Sequence, residues 1–254
     1  MEKNFRKDRL SVRVFESRAA MGAAAAADIA ACIRAELEKK PALRMIFAAA
    51  PSQNEVLAAL CADPGIPWER ITAFHMDEYI GLPADAPQGF GNFLREHLFD
   101  RVPFAHVHTI DITAADPAAE AARYAALLGE APIDLVVMGI GENGHVAFND
   151  PPVADFRDPA AVKPVPLDPV CRQQQVNDGC FARLDDVPRY ALTLTVPALT
   201  RAGWLFCTVP APTKADAVYA VVNADIGPDV PATSMRLHDH AVMYCDRDSG
   251  ARVL

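Results

Sequence analysis

The residues most able to do chemistry lie in one run, Asp134-Leu-Val-Val-Met-Gly-Ile-Gly-Glu-Asn-Gly-His145-Val-Ala-Phe-Asn-Asp-Pro-Pro152. Leu135 to Ile140 reads as a buried parallel strand. Glycines 139, 141 and 144 interrupt it. His145 follows, flanked by Asn143 and Asp150. Ligands of open α/β sheets bind just beyond the carboxyl ends of strands. An imidazole with a carboxylate nearby at such a point suits proton transfer. A tight turn carrying a surface histidine is the plainer alternative. Gly139-x-Gly141-x-x-Gly144 also spells the dinucleotide fingerprint, but that motif needs a helix to open directly after it. Pro151-Pro152 and prolines 159, 164, 166 and 169 oppose such a helix. The glycines therefore read as an irregular site loop.

Three further loops could join it. Phe74-His75-Met76-Asp77-Glu78-Tyr79 places two adjacent acids at the end of a strand. Their side chains point to opposite faces, so one can enter a pocket as a general base while the other bonds backbone or solvent. A solvated acidic turn is the alternative. Pro51-Ser52-Gln53-Asn54-Glu55 is a strand-turn-helix junction. Its free N–H groups and side-chain donors could hold an anion, or Ser52 could simply cap the helix. Pro210-Ala-Pro-Thr213-Lys214 puts a cation in a helix's first turn, against the dipole, which suits an anionic ligand; an exposed solubility lysine would look the same. His106-x-His108 and His238-Asp239-His240 resemble metal pairs. Neither has a third ligand nearby, so both read as structural and no metal is expected.

The elements that must position these loops alternate. Helices are expected over 18–39, 54–62, 90–99, 117–128, 169–177 and 213–223. Strands are expected over 44–50, 71–76, 107–110, 135–140, 190–196, 204–209 and 241–245, the last closing the sheet. This order predicts an α/β three-layer sandwich with a mostly parallel, Rossmann-like central sheet. No repeat or linker divides the chain, so a single domain over 1–254 is expected. The proline-rich stretch is long for a plain connection and reads as a lid over 149–180.

The 254 residues, 51% hydrophobic and 22% charged, fit a globular protein. A net charge of -9 opposes a nucleic-acid surface but not a small anionic ligand. No apolar run reaches the ~20 residues of a membrane span. The six cysteines form no Cys-x-x-Cys pair, and reduced thiols in the cytoplasm are expected.

Three segments carry a family resemblance that covers almost the whole chain. They are Met76-Asp77-Glu78-Tyr79-Ile-Gly-Leu-Pro83, Gly139-x-Gly141-x-x-Gly144-His145-x-Ala147-Phe148-Asn149 and Val187-Pro-Arg-Tyr-Ala-Leu-Thr193. With the loops above, they resemble the glucosamine-6-phosphate deaminases, relatives of the 6-phosphogluconolactonases. The resemblance implies ring opening, aldose–ketose isomerisation and loss of ammonia from a sugar phosphate, with no cofactor. Asp77 would be the base between C2 and C1, and His145 would assist ring opening. Asp150 would stand where the family usually has glutamate and hold the histidine. Ser52, Gln53 and Asn54 would line the phosphate loop and Lys214 would bind phosphate. Glu78, Gly141 and Gly144 would also lie at the substrate.

The chain departs from the family pattern in four places. Asn143 replaces an aspartate, and Asp150 is one methylene short. The phosphate loop reads Ser-Gln-Asn-Glu. The family's phosphate arginine falls near Asn177 and Asp178, with Arg172 as a substitute nearby. The chemical end of the site is thus better kept than the phosphate end. A different amino-sugar phosphate, or a different anionic handle, is a consistent substrate. A sugar-acid lactonase using His145 as base and a non-catalytic sugar-phosphate sensor are the alternatives. Such enzymes occur as monomers and hexamers, so a homo-oligomer is left open.

Overall fold

A computed structural model of the chain describes residues 2–254. Among these residues, the main sheet has eight strands. They are β1 (Lys3–Lys7), β2 (Leu10–Val14), β3 (Leu43–Phe47), β4 (Ile71–His75), β6 (His106–His108), β7 (Leu135–Met138), β10 (Trp204–Val209) and β11 (Ala241–Cys245). Their order is β1-β2-β11-β10-β7-β3-β4-β6, parallel throughout except for the β1–β2 hairpin. The centre of the sheet forms because strands such as β7 are apolar on both faces. Along β7, Leu135 and Val137 enter a core with helices α1 (Arg18–Leu37) and α2 (Asn54–Ala62). Val136 and Met138 enter the opposite core. There they meet α4 (Pro117–Gly129), α6 (Val196–Thr200) and α7 (Ala215–Asn223). Period-two alternation thus feeds two helical layers, giving the α/β three-layer arrangement.

Helix starts are set by caps. Asp116 accepts from Ala118 N and Ala119 N, with Pro117 at the first helical position. Asp168 caps α5 (Pro169–Asn177) before Pro169 in the same way. In both, proline supplies the helical φ and needs no donor. Gly22 of α1 has a packing role. A Cβ there would lie 2.4 Å from Glu55 Cβ on α2. Alanine is the better helix former by about 1 kcal/mol, but prying the helices apart should cost about 1–3 kcal/mol. Gly22→Ala is therefore expected to lower the urea midpoint at constant m-value; a raised midpoint would mean that the contact relaxes freely.

The structure departs from the sequence expectations in specific places. Strand 135–140 ends at Met138, because the glycines release the chain. β11 does not close the sheet: β2 pairs beyond it, and the β1–β2 hairpin forms that edge. The segment expected as strand 190–196 is β9 (Tyr190–Leu194), and it leaves the main sheet. It pairs antiparallel with β5 (Asp77–Tyr79) and β8 (Val162–Pro166) in a second, three-stranded sheet. The 149–180 stretch, read as a lid, holds β8 in addition to the expected helix α5. Along the main sheet, β3, β4 and β6 run outward one way from the centre, and β7, β10, β11 and β2 the other. The β3/β7 junction is the switch point where a crevice opens at the carboxyl ends.

Candidate active site

That crevice is lined from several strand ends. Ala48 to Gln53 follow β3, Met76 and Asp77 follow β4, Gly139 to Gly141 follow β7, and Pro210 and Ala211 follow β10. His145, Phe148, Gln174, Gln175, Asp178, Thr213 and Lys214 are also part of the wall. Ala147 (φ 49°) and Ala211 (φ 83°) are two of the three non-glycine residues with positive φ among those described, and both line this pocket. Strained backbone gathers at functional sites because the surrounding fold must hold it there.

Asp77 opens β5, opposite Thr193 of β9. Its side chain is buried and faces the pocket. Burial, and then the neighbouring Glu78 carboxylate, push its pKa well above the usual carboxylate range. Glu78 points the other way. Its carboxylate accepts from Tyr79 N at 2.9 Å, Phe90 N at 3.0 Å and Gly91 N at 2.9 Å. It thereby ties β5 to the start of helix α3 (Phe90–Leu94). Burial raises its pKa to about 7, against those three hydrogen bonds. Glu78, expected at the substrate, does not line the crevice, because alternation along the strand sends its side chain to the far side.

The glycine loop presents His145. Gly141 N donates to His145 O at 2.9 Å, and a Cβ on Gly141 would sit 2.0 Å from the imidazole Cε1. Only glycine permits that approach. Gly144 takes φ +79° and turns the chain. It shapes the loop and is not among the residues lining the pocket. Turns rather than a helix follow it, so the dinucleotide reading has no support.

His145 Nδ1 lies 2.8 Å from Asn143 Oδ1 and 3.0 Å from Asp150 Oδ1. Both are acceptors, which places the proton on Nδ1 and turns Nε2 toward the cavity. Asn143 Nδ2 in turn donates to Asp150 Oδ1 at 2.9 Å. Burial would raise the Asp150 pKa, but the hydrogen bonds from His145 and Asn143 outweigh it and hold the carboxyl below its ordinary value. An aspartate at 143 would face the Asp150 carboxylate at hydrogen-bonding distance. The amide there and the shorter acid at 150 therefore fit each other. Cys171 stands beside this group: ring nitrogen, carboxylate oxygen and thiol sulfur lie within 4.8 Å of one another. Burial, and then nearby Asp150, drive the Cys171 thiol pKa well up and keep it protonated.

The opposite end is less basic than the sequence suggests. Ser52 and Gln53 line the pocket, whereas Asn54 opens α2, exposed, and is not among the lining residues. Gln53 is spoken for, because its Oε1 accepts from Thr208 Oγ1 at 3.0 Å. Lys214 is 5% exposed and lines the pocket. Burial lowers its pKa, opposed by the Asp178 and Glu142 carboxylates. Arg172, expected as a substitute for the phosphate arginine, does not line the pocket. Its guanidinium donates to Leu184 O at 2.6 Å and Val187 O at 2.9 Å, outside the pocket, and so fastens the following loop to α5. The lining residues Arg18, Gln174 and Gln175 were not anticipated, and Asp178 lines the pocket near the place of the family's phosphate arginine. Arg18 Nε donates to Glu55 Oε1 at 2.6 Å.

A family model described as glucosamine-6-phosphate isomerases/6-phosphogluconolactonase matches residues 16–244. The chain belongs to that family. Among family members, a glucosamine-6-phosphate deaminase of an Exiguobacterium species is 35% identical over 182 residues, covering 72% of this chain and 70% of that one. The glucosamine-6-phosphate deaminase of Streptococcus pyogenes is 30% identical, over 72% and 76%. A solved monomeric glucosamine-6-phosphate deaminase superposes with a TM-score of 0.85 at 25% identity, covering 95% of this chain and 99% of the other. The 6-phosphogluconolactonase of Trypanosoma brucei gives a TM-score of 0.78 at 19% identity over 96% and 98%, and so shares the fold.

Proposed function

We propose that this family member is an isomerising deaminase that converts glucosamine-6-phosphate and water to fructose-6-phosphate and ammonia. One observation carries the reading: a buried carboxylate, Asp77, and an imidazole oriented by Asn143 and Asp150 line the same crevice. The curated relatives named as deaminases support it. His145 Nε2 transfers the proton that opens the sugar ring. In the open form Asp77 removes the proton from C2 and returns it to C1. O1 takes up a proton and nitrogen gives one up as the C2 imine forms beside a C1 hydroxymethyl group, and water hydrolyses that imine to the ketone and ammonia. The elevated pKa of Asp77 makes it a stronger base than an exposed carboxylate. No other group needs to supply or accept electrons.

The six cysteines are free, which suits a reducing cytoplasm. Among the described residues, no helix is long and apolar enough to cross a membrane. Incubation with a panel of 2-amino-sugar phosphates tests the reading. Ammonia and a ketose phosphate should appear in equal amounts. Hydrolysis of a sugar-acid lactone with no ammonia from any amino sugar would replace it with the lactonase reading, and tight binding with neither reaction would leave a sensor.

A further inference from the structure

Four charged residues line the pocket besides His145: Arg18, Lys214, Asp77 and Asp178. Arg18 is neutralised by Glu55 at 2.6 Å and also donates to the Pro51 carbonyl. Lys214 forms no ion pair within 4 Å among the described residues; the groups facing it are the Asp178 and Glu142 carboxylates and the Cys171 thiol. Asp178 lines the cavity and Glu142 does not. The other side chains at this end, Ser52, Gln174, Gln175 and Thr213, are neutral. A phosphate dianion is ordinarily met by surplus positive charge, and here each cation has an acid set against it.

We propose that Asp178 is a specificity-determining residue that limits how much negative charge the distal end of the pocket accepts. This rests on the deaminase reading for its substrate, though not for its electrostatics. With the Asp178 side chain lining the same end, Lys214 offers a phosphate little net attraction. The end then discriminates weakly between a phosphate and a hydroxyl, and favours the phosphate monoanion over the dianion. Asp178 caps the end of α5 and accepts from Gln174 Nε2 at 3.3 Å, a contact that an asparagine oxygen keeps.

Asp178→Asn tests the proposal. KM for glucosamine-6-phosphate should fall about tenfold, since one like charge is removed near the anion, while kcat holds within about twofold. KM for unphosphorylated glucosamine should not move. The gain should be larger at about pH 7.5 than at about pH 5, because phosphate becomes a dianion near pH 6. A structural role would instead lower kcat and thermal stability. Asp178→Ser should shift KM the same way and guards against a folding defect in one variant. Calorimetry with inorganic phosphate separates this from the deaminase reading. If neither protein releases ammonia but the variant binds phosphate about tenfold more tightly, the electrostatic assignment stands and the reaction is wrong. Equal phosphate affinity in wild type and both variants overturns the assignment.

Discussion

Asp77→Asn is expected to lower kcat for ammonia release by about 10³-fold, inside the ~10²–10⁴ contributed by a general base, with KM nearly unchanged. The amide keeps the shape of the carboxylate and occupies the same buried position at the start of β5. It cannot take a proton from carbon. Loss in kcat without loss in KM marks an interaction made only in the transition state. The pH profile should agree. Burial and Glu78 raise the Asp77 pKa, so the wild-type acid limb should rise with pH at a midpoint above the ordinary carboxylate value of 3.8. Stability should move the opposite way to activity. A carboxyl whose folded pKa is raised contributes stability below its unfolded value and loses it as pH rises through the folded one. Glu78 adds to the same slope between 4.5 and about 7. Asparagine does not ionise, so Asp77→Asn should melt at or above the wild-type temperature at neutral pH, and show no such gain in acid. Turnover within tenfold of wild type would remove Asp77 from the mechanism.

How much of this was legible in the sequence depends on what kind of signal each part leaves. The parallel strands were visible because burial on both faces writes a continuous apolar run, as in Leu135 to Met138. The second sheet was not. β5 is three residues long, too short for any period, and β8 contains Pro164 and Pro166, which read as loop. β8 pairs only with β9, and an edge strand tolerates proline. The β1–β2 hairpin did leave a signal: Leu10, Val12 and Val14 are buried and alternate with Ser11 and Arg13.

At the site, spacing named the glycine loop and its histidine, because chain neighbours build it. It showed that Asp77 and Glu78 face opposite ways without showing which faces the cavity. That choice is made by the Phe90 and Gly91 amides, a dozen residues away. The same limit applies to Arg172. Its carbonyl partners at Leu184 and Val187 come from a loop whose return to α5 no local pattern encodes. Asp178 and Lys214 reach the same cavity only through the fold, so their charges could not be balanced from sequence position.

His145→Gln should cost about 10²–10⁴ in kcat, and the reason lies in the division of labour between the two ring nitrogens. Nδ1 is occupied by Asn143 and Asp150, leaving Nε2 to exchange a proton with the sugar. A glutamine amide can still donate toward those two acceptors, and the loop should keep its geometry. It has no titratable nitrogen to offer the ring oxygen. The deficit should therefore fall on steps that require ring opening. A reduced, acyclic 2-amino-hexitol phosphate, which has no ring to open, should bind wild type and variant with the same Kd. The variant should also keep the acid limb set by Asp77, since that carboxyl is perturbed by its own burial and by Glu78 and not by the imidazole. If the acyclic ligand loses affinity in step with kcat, His145 is holding the sugar in place and the ring-opening role passes to another group in the crevice.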